Sequence, residues 1–185
     1  MKLDILAFGA HPDDVELGCS GTIAKEISLG KKVGIIDLTR GELGTRGSVE
    51  IRNSESAKAS EILGVTVREN LDMRDGFFLN DEAHQLEIIK MIRKYQPEIV
   101  LCNAIQDRHI DHGKGSKLVS DACFLSGLEI FNTDFFEYKN NRYKAESRSF
   151  VLKYFLSLKF KSLKHGSFTY LVVFHNSSAN TTESF

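Results

Sequence analysis

Short apolar runs that stop at a glycine or a polar cluster alternate along this chain with longer segments whose apolar positions recur at helical spacing. Leu3 to Phe8 is short, apolar and stopped by Gly9, the pattern of a strand buried on both faces. Beyond it Val15, Leu17, Ile23, Ala24, Ile27 and Leu29 recur with a roughly helical period until Gly30. Val33 to Leu38 reads as a second strand. Ser48 is a candidate cap for a helix running to Leu63 with Gly64 as its stop, and Val65 to Met73 reads as a third strand. Asp81 is placed to cap a helix through Ile88, Ile89, Ile92 and Tyr95, and Pro97 separates that helix from a strand beginning at Glu98. Strands alternating with helices predict an α/β fold: a mostly parallel sheet with helices on both faces and ligands beyond the carboxyl ends of its strands.

Two stretches break this pattern. Thr39 to Ser48 is polar, glycine-bearing and longer than most connections in compact domains, which usually signals function or mobility. Beyond about Ile130 the chain becomes rich in phenylalanine and lysine. Phe150 to Phe160 fits neither period, Ser167 to Phe174 is a plausible strand, and Asn176 to Phe185 has the composition of a disordered tail.

Composition narrows the function. At 185 residues the chain is long enough to bury a core without metal or disulfide staples, so a bound metal is expected to be catalytic rather than structural. A formal net charge of −1 and the absence of basic runs argue against nucleic acid as a partner. No stretch approaches the ~18 apolar residues of a membrane span, and the opening residues lack a signal-peptide pattern, so a cytoplasmic protein is expected. Cys19, Cys102 and Cys123 are few and scattered, as expected of reduced thiols packed as small hydrophobes. The sequons at Asn176 and Asn180 are read as chance matches without an export signal.

The chemistry lies in two polar knots, each following an apolar run: His11-Pro12-Asp13-Asp14 and Asp107-Arg108-His109-Ile110-Asp111-His112. If the two strands are neighbours, both knots meet at one point. His11 and Asp14 have a spacing that places both side chains on one side of a turn or first helical turn, and Pro12 suits a helix start. Imidazole and carboxylate are ligands that Zn²⁺ accepts, and a catalytic zinc needs three protein ligands and an open position. His112 could be the third. Asp13 would then be free to accept a proton from a bound water, and a charged His109, held by Asp111, would suit an oxyanion or a departing amine. The plainer alternative is that Asp13 or Asp14 merely caps the following helix. His84, His165 and His175 lack ligand-spaced partners and are read as having no catalytic duty. Gly9, Gly18 and Gly21 make no dinucleotide fingerprint, and no P-loop or nucleophile elbow is present.

With Gly41-Glu42-x-Gly44-Thr45-Arg46-Gly47 and Arg52 between the two knots, the sequence resembles the LmbE-like (PIG-L) family of zinc-dependent N-acetylglucosamine deacetylases over roughly residues 1 to 130. It is most similar to the bacillithiol-biosynthesis branch, which acts on N-acetylglucosaminyl malate. The resemblance implies a Rossmann-like three-layer fold, His11, Asp14 and His112 as ligands of zinc (or ferrous iron), and Asp13 as general base. It implies His109 as acid or oxyanion stabiliser oriented by Asp111, and Arg52 as a substrate contact. For Arg46 and Glu42 substrate contact and local ion pairing remain equal alternatives. The implied partner is a small amino-sugar conjugate, with homo-oligomers common among relatives. After about Glu146 the Arg-Pro and His-Tyr segment of that branch is missing. Residues 1–146 are therefore expected to form the deacetylase domain and 147–185 an atypical, truncated and partly disordered segment. A metal-binding but catalytically impaired protein, or a deacetylase of another N-acetylglucosaminyl conjugate, are the alternatives.

Overall fold

A computed structural model describes residues 1–45, 47–128, 158–161 and 168–175, the last two segments through their backbone pairing. The chain order is β1 (Ile5–Gly9), α1 (Asp14–Ser28), β2 (Val33–Thr39), α2 (Val49–Leu63), β3 (Val67–Met73), α3 (Glu82–Tyr95), β4 (Ile99–Cys102), α4 (Ile110–Ser126), β5 (Leu158–Lys161) and β6 (Phe168–His175). The strands form one sheet in the order β3-β2-β1-β4-β6-β5. The first four are parallel, and β6 runs antiparallel to β4 and to β5. The expected Phe150 to Phe160 irregularity lies mostly outside the described residues; the tail from Asn176, with its two sequons, and His165 lie wholly outside them.

Alternation along the strands divides the core between two faces. Leu6 and Phe8 of β1 and Ile36 and Leu38 of β2 pack with Ile88 and Ile92 of α3 and Leu118 and Val119 of α4. Ile5 and Ala7, Val33 and Ile35 face the other way, against Val15, Cys19 and Ile23 of α1. Helices therefore cover both faces of the sheet at its centre, which explains why β1, β2 and β4 read as continuous apolar runs, while β3, at the edge, is mostly polar. Each such side chain, once fully buried, contributes roughly 1.5–3 kcal/mol. All three cysteines are buried and free, and burial pushes the thiols of Cys19 and Cys102 up to about 12. No helix among the described residues is long and apolar enough to cross a membrane.

The helix ends largely follow the sequence signals. The Ser48 hydroxyl accepts from the Ile51 N–H at 3.3 Å, and Gly64 takes the left-handed conformation that ends α2. The Asp81 carboxylate accepts from the His84 N–H at 3.0 Å. At the other end of α3, Gln96 also turns left-handed, an uncommon conformation for a residue other than glycine, and Pro97 follows it. Two features carry no periodic signal. Helix α1 kinks at Cys19, where φ is −151°, and α4 begins within the second knot even though its glycines and exposed Ile110 and Phe124 blur its apolar face.

The arrangement of the sheet places the chemistry. Ile5 pairs with Ile99 and Ala7 with Leu101, so β1 and β4 are adjacent, parallel and nearly level. Their carboxyl ends release the two polar knots side by side.

Candidate metal centre

His11 and Pro12 form the turn between β1 and α1, and both are buried. Asp14 opens α1 and folds back on the turn: its Oδ2 accepts the His11 N–H at 2.9 Å. His11 Nδ1 lies 3.4 Å from the same oxygen, while Asp14 Oδ1 lies 3.0 Å from His112 Nε2, reaching across from the first turn of α4. These distances bring His11, Asp14 and His112, the three residues singled out as ligands, into one cluster in which the two oxygens of Asp14 bridge the two rings. The His109 ring completes the cluster. It meets His11 edge-on at 4.8 Å between centroids and stacks on His112 at 4.9 Å, and nitrogens of the three imidazoles lie within 4.8 Å of one another.

The outward nitrogens of both candidate imidazole ligands are held by carboxylates. His11 Nε2 lies 3.0 Å from Asp75 Oδ1, and His112 Nδ1 lies 3.2 Å from Asp107 Oδ2. Metal-ligating histidines almost always use their second nitrogen in this way, which fixes tautomer and ring orientation. The donor set of two imidazoles and one carboxylate, each ring with such a partner, fits a Zn²⁺-type ion.

Electrostatics match the geometry. Burial works to raise the Asp14 pKa, but the flanking His11 and His112 outweigh it and hold the carboxyl far below its ordinary range. Burial works to lower the His11 pKa, yet Asp14 and Asp75 push it up to about 9. His112 is raised in the same way, its burial overcome by Asp14 and Asp107.

Asp13 stands apart from this network. It occupies the cap position of α1, yet its side chain makes no cap bond, so a simple capping role does not account for it. The carboxylate is exposed beside the cluster. His109 is also exposed, at the cap of α4, where its Nδ1 accepts the Asp111 N–H at 3.3 Å. The Asp111 carboxylate turns elsewhere. Oδ1 meets Lys114 Nζ at 2.6 Å, while Oδ2 accepts the Gly76 N–H at 2.9 Å and lies 3.5 Å from His11 Nε2. Asp111 therefore meets His109 through its backbone, and its carboxylate ties α4 to the turn after β3.

That turn carries Asp75, which the sequence reading missed. Its Oδ2 accepts the Leu43 N–H at 3.0 Å, and its own N–H donates to Glu42 Oε1 at 2.8 Å, so the long polar loop is fastened to the residue that holds His11. Arg52, in the first turns of α2, lays its guanidinium over this loop. A Cβ at Gly41 would stand 2.8 Å from Nη1, and one at Gly44 would overlap Nη2, so the two glycines create the space Arg52 occupies. Among the described residues no carboxylate pairs with that guanidinium. Arg46 lies outside them.

Comparison with known proteins places the chain in a family. The profile of the PIG-L family, described as GlcNAc-PI de-N-acetylase, matches residues 6–123, which include both knots. The chain is 40% identical over 114 residues to the uncharacterized deacetylase YaiS of Escherichia coli, covering 58% of this chain and 61% of that protein. It is 34% identical over 138 residues to the diacetylchitobiose deacetylase of Thermococcus kodakarensis, covering 69% of this chain and 52% of that one. Among solved structures, the conserved protein TT1542 of Thermus thermophilus superposes with a TM-score of 0.67 at 42% identity over 69% of this chain and 58% of that one. GalB, the 4-carboxy-2-hydroxymuconate hydratase of Pseudomonas putida, does so with a TM-score of 0.64 at 28% identity over 71% of this chain and 59% of that one. The chain thus spans between 52% and 61% of the length of these two curated relatives. A parallel α/β sheet that releases two knots of histidine and aspartate from adjacent strand ends, matched across both knots by the family profile, makes this chain a member of the PIG-L family.

Proposed function

We propose that the protein is a metal-dependent amide hydrolase that removes the acetyl group from an N-acetylglucosamine conjugate, with N-acetylglucosaminyl malate the favoured substrate and zinc the favoured ion. One observation carries the reading: His11, Asp14 and His112 converge with second nitrogens engaged by Asp75 and Asp107, while Asp13 is left exposed and uncommitted beside them. One carboxylate of the adjacent pair is built into the cluster and the other is free to work.

When bound, the ion would polarise the acetamide carbonyl and acidify a water molecule. The Asp13 carboxylate is the group available to accept that proton, since no intramolecular cap bond competes for it. His109 Nδ1 accepts the Asp111 N–H, which leaves Nε2 as the ring nitrogen available to donate. That N–H can stabilise a developing oxyanion, and the proton taken up by Asp13 can pass on to the departing amine. Arg52, free of carboxylate partners among the described residues, offers a planar fork for the malate carboxylate or sugar hydroxyls, and Arg46, in the polar stretch before α2, is read as a second substrate contact. Three buried free cysteines suit a reducing cytoplasm. The catalytic part is assigned to residues 1–146, with 147–185 as a separate C-terminal segment that contributes β5 and β6 to the sheet.

The test is acetate release from N-acetylglucosaminyl malate by zinc-loaded protein, with a chelated control and diacetylchitobiose for comparison. Metal-dependent release from the malate conjugate supports the reading. Release from diacetylchitobiose alone moves the substrate assignment, and bound zinc with no acetate from either compound replaces it with the impaired, metal-binding alternative.

A further inference from the structure

The amide of Asn103 sits where the two knots touch. It follows β4 directly, and its Oδ1 accepts the Ala10 N–H at 2.9 Å, in the turn that delivers His11. Its Nδ2 donates to Asp14 Oδ2 at 3.0 Å. Only one orientation of the amide satisfies both partners, because a backbone N–H needs an acceptor and a carboxylate needs a donor. Asn103 therefore reads both strands at once.

The consequence falls on Asp14. Its Oδ2 receives two hydrogen bonds from the protein, from the His11 N–H at 2.9 Å and from Asn103. Its Oδ1 receives neither and faces His112 Nε2 at 3.0 Å, whereas Oδ2, already holding both hydrogen bonds, stands farther from its ring, 3.4 Å from His11 Nδ1. Behind the pair, Phe8, Val15, Cys19, Leu101 and Cys102 line a small hollow of apolar groups and thiols, so the hollow offers Asp14 nothing stronger than a weak thiol donor in place of Asn103. We propose that Asn103 is a positioning residue of the metal centre: its amide locks the Asp14 carboxylate so that Oδ2 is consumed by protein donors and Oδ1 alone is presented to the ion. A carboxylate held in this way binds through one oxygen and leaves a coordination position open, which is what a hydrolytic site requires. The inference rests on the metal-site reading above and adds how that site keeps its coordination number low.

Two variants separate this role from a structural one. Asn103→Ala removes both halves of the amide, whereas Asn103→Asp keeps an acceptor for the Ala10 N–H and removes the donor to Asp14. Zinc affinity is measured by competition with a chromophoric chelator, circular dichroism of the metal-free proteins checks the fold, and Co²⁺ replaces zinc for visible absorption. Loss of an outer partner of a metal ligand typically costs about 10- to 100-fold in affinity, and that is the loss expected in both variants. The Co²⁺ bands of Asn103→Ala are expected to weaken relative to wild type, as a freed Oδ2 raises the coordination number. Wild-type affinity in Asn103→Asp overturns the proposal, because the amide would then serve only the Ala10 turn; unchanged Co²⁺ bands in Asn103→Ala overturn it as well. A wild-type protein that binds no zinc would instead remove the metal-site reading itself.

Discussion

Asp107 offers the most quantitative check on how the site is built. Its Oδ2 lies 3.2 Å from His112 Nδ1 and its Oδ1 accepts the His109 N–H at 3.0 Å, so one half-buried carboxylate aims both histidines of the second knot. Asp107→Ala leaves the His112 ring free to rotate and makes it a weaker base. A metal-binding histidine that loses its carboxylate partner typically costs 10- to 100-fold in affinity, about 1.4–2.7 kcal/mol at 1.4 kcal/mol per tenfold change. Asp107→Ala should fall toward the upper end, since it also frees the His109 N–H. Asp107→Asn retains an acceptor and should fall toward the lower end. Competition titration against a chromophoric chelator measures both, with circular dichroism confirming the fold. If Asp107→Ala binds zinc within twofold of wild type, His112 is not aimed at a metal by this carboxylate.

Three further outcomes follow from the same geometry. Asp13→Ala should retain stoichiometric zinc while turnover drops by about 10²- to 10⁴-fold, the usual worth of a general base; metal loss equal to that of His112→Ala would contradict the division of labour between the adjacent acids. Gly44→Ala places a methyl group where the Arg52 guanidinium now lies, so KM for an anionic conjugate should rise roughly tenfold with metal content unchanged; an unaltered KM would show that Arg52 does not meet substrate. The pKa shifts of the metal-free site set a pH dependence. His11, raised from 6.5 to about 9, contributes stability that is fully present below pH 6.5 and lost as pH climbs through about 9, and His112, also raised, adds to it in the same direction while Asp14 stays ionised. The metal-free protein should melt at a lower temperature at pH 9.5 than at pH 6.5, whereas zinc affinity should increase over the same interval as proton competition fades; a flat melting profile would refute the charge pairing.

The sequence carried the architecture because β1, β2 and β4 are buried on both faces and appear as unbroken apolar runs, and because Ser48, Gly64 and Asp81 mark helix ends with residues whose reason is local. The two knots were legible for the same reason, each lying at the end of a strand. Asp75 was not, since it lies beyond β3, which β2 separates from β1, and reaches His11 only through a turn fastened to the long loop. Asn103 gave a faint signal as the first polar residue after β4, yet an isolated asparagine at a strand end ordinarily reads as turn chemistry. Asp111 was misjudged in direction rather than in place: spacing put it beside His109, but the first turn of α4 swings its carboxylate toward Lys114 and Gly76.

X-ray absorption at the zinc edge of the loaded wild-type protein, together with metal stoichiometry for His11→Ala, Asp14→Ala, His112→Ala and the distant control His84→Ala, tests the central claim most directly. The account predicts one zinc per chain, a first shell of two imidazole nitrogens and oxygen donors at about 2.0–2.2 Å, loss of tight binding in the first three variants and full retention in the control. Stoichiometric zinc held with undiminished affinity in His112→Ala would contradict it, because the two knots would then not share an ion.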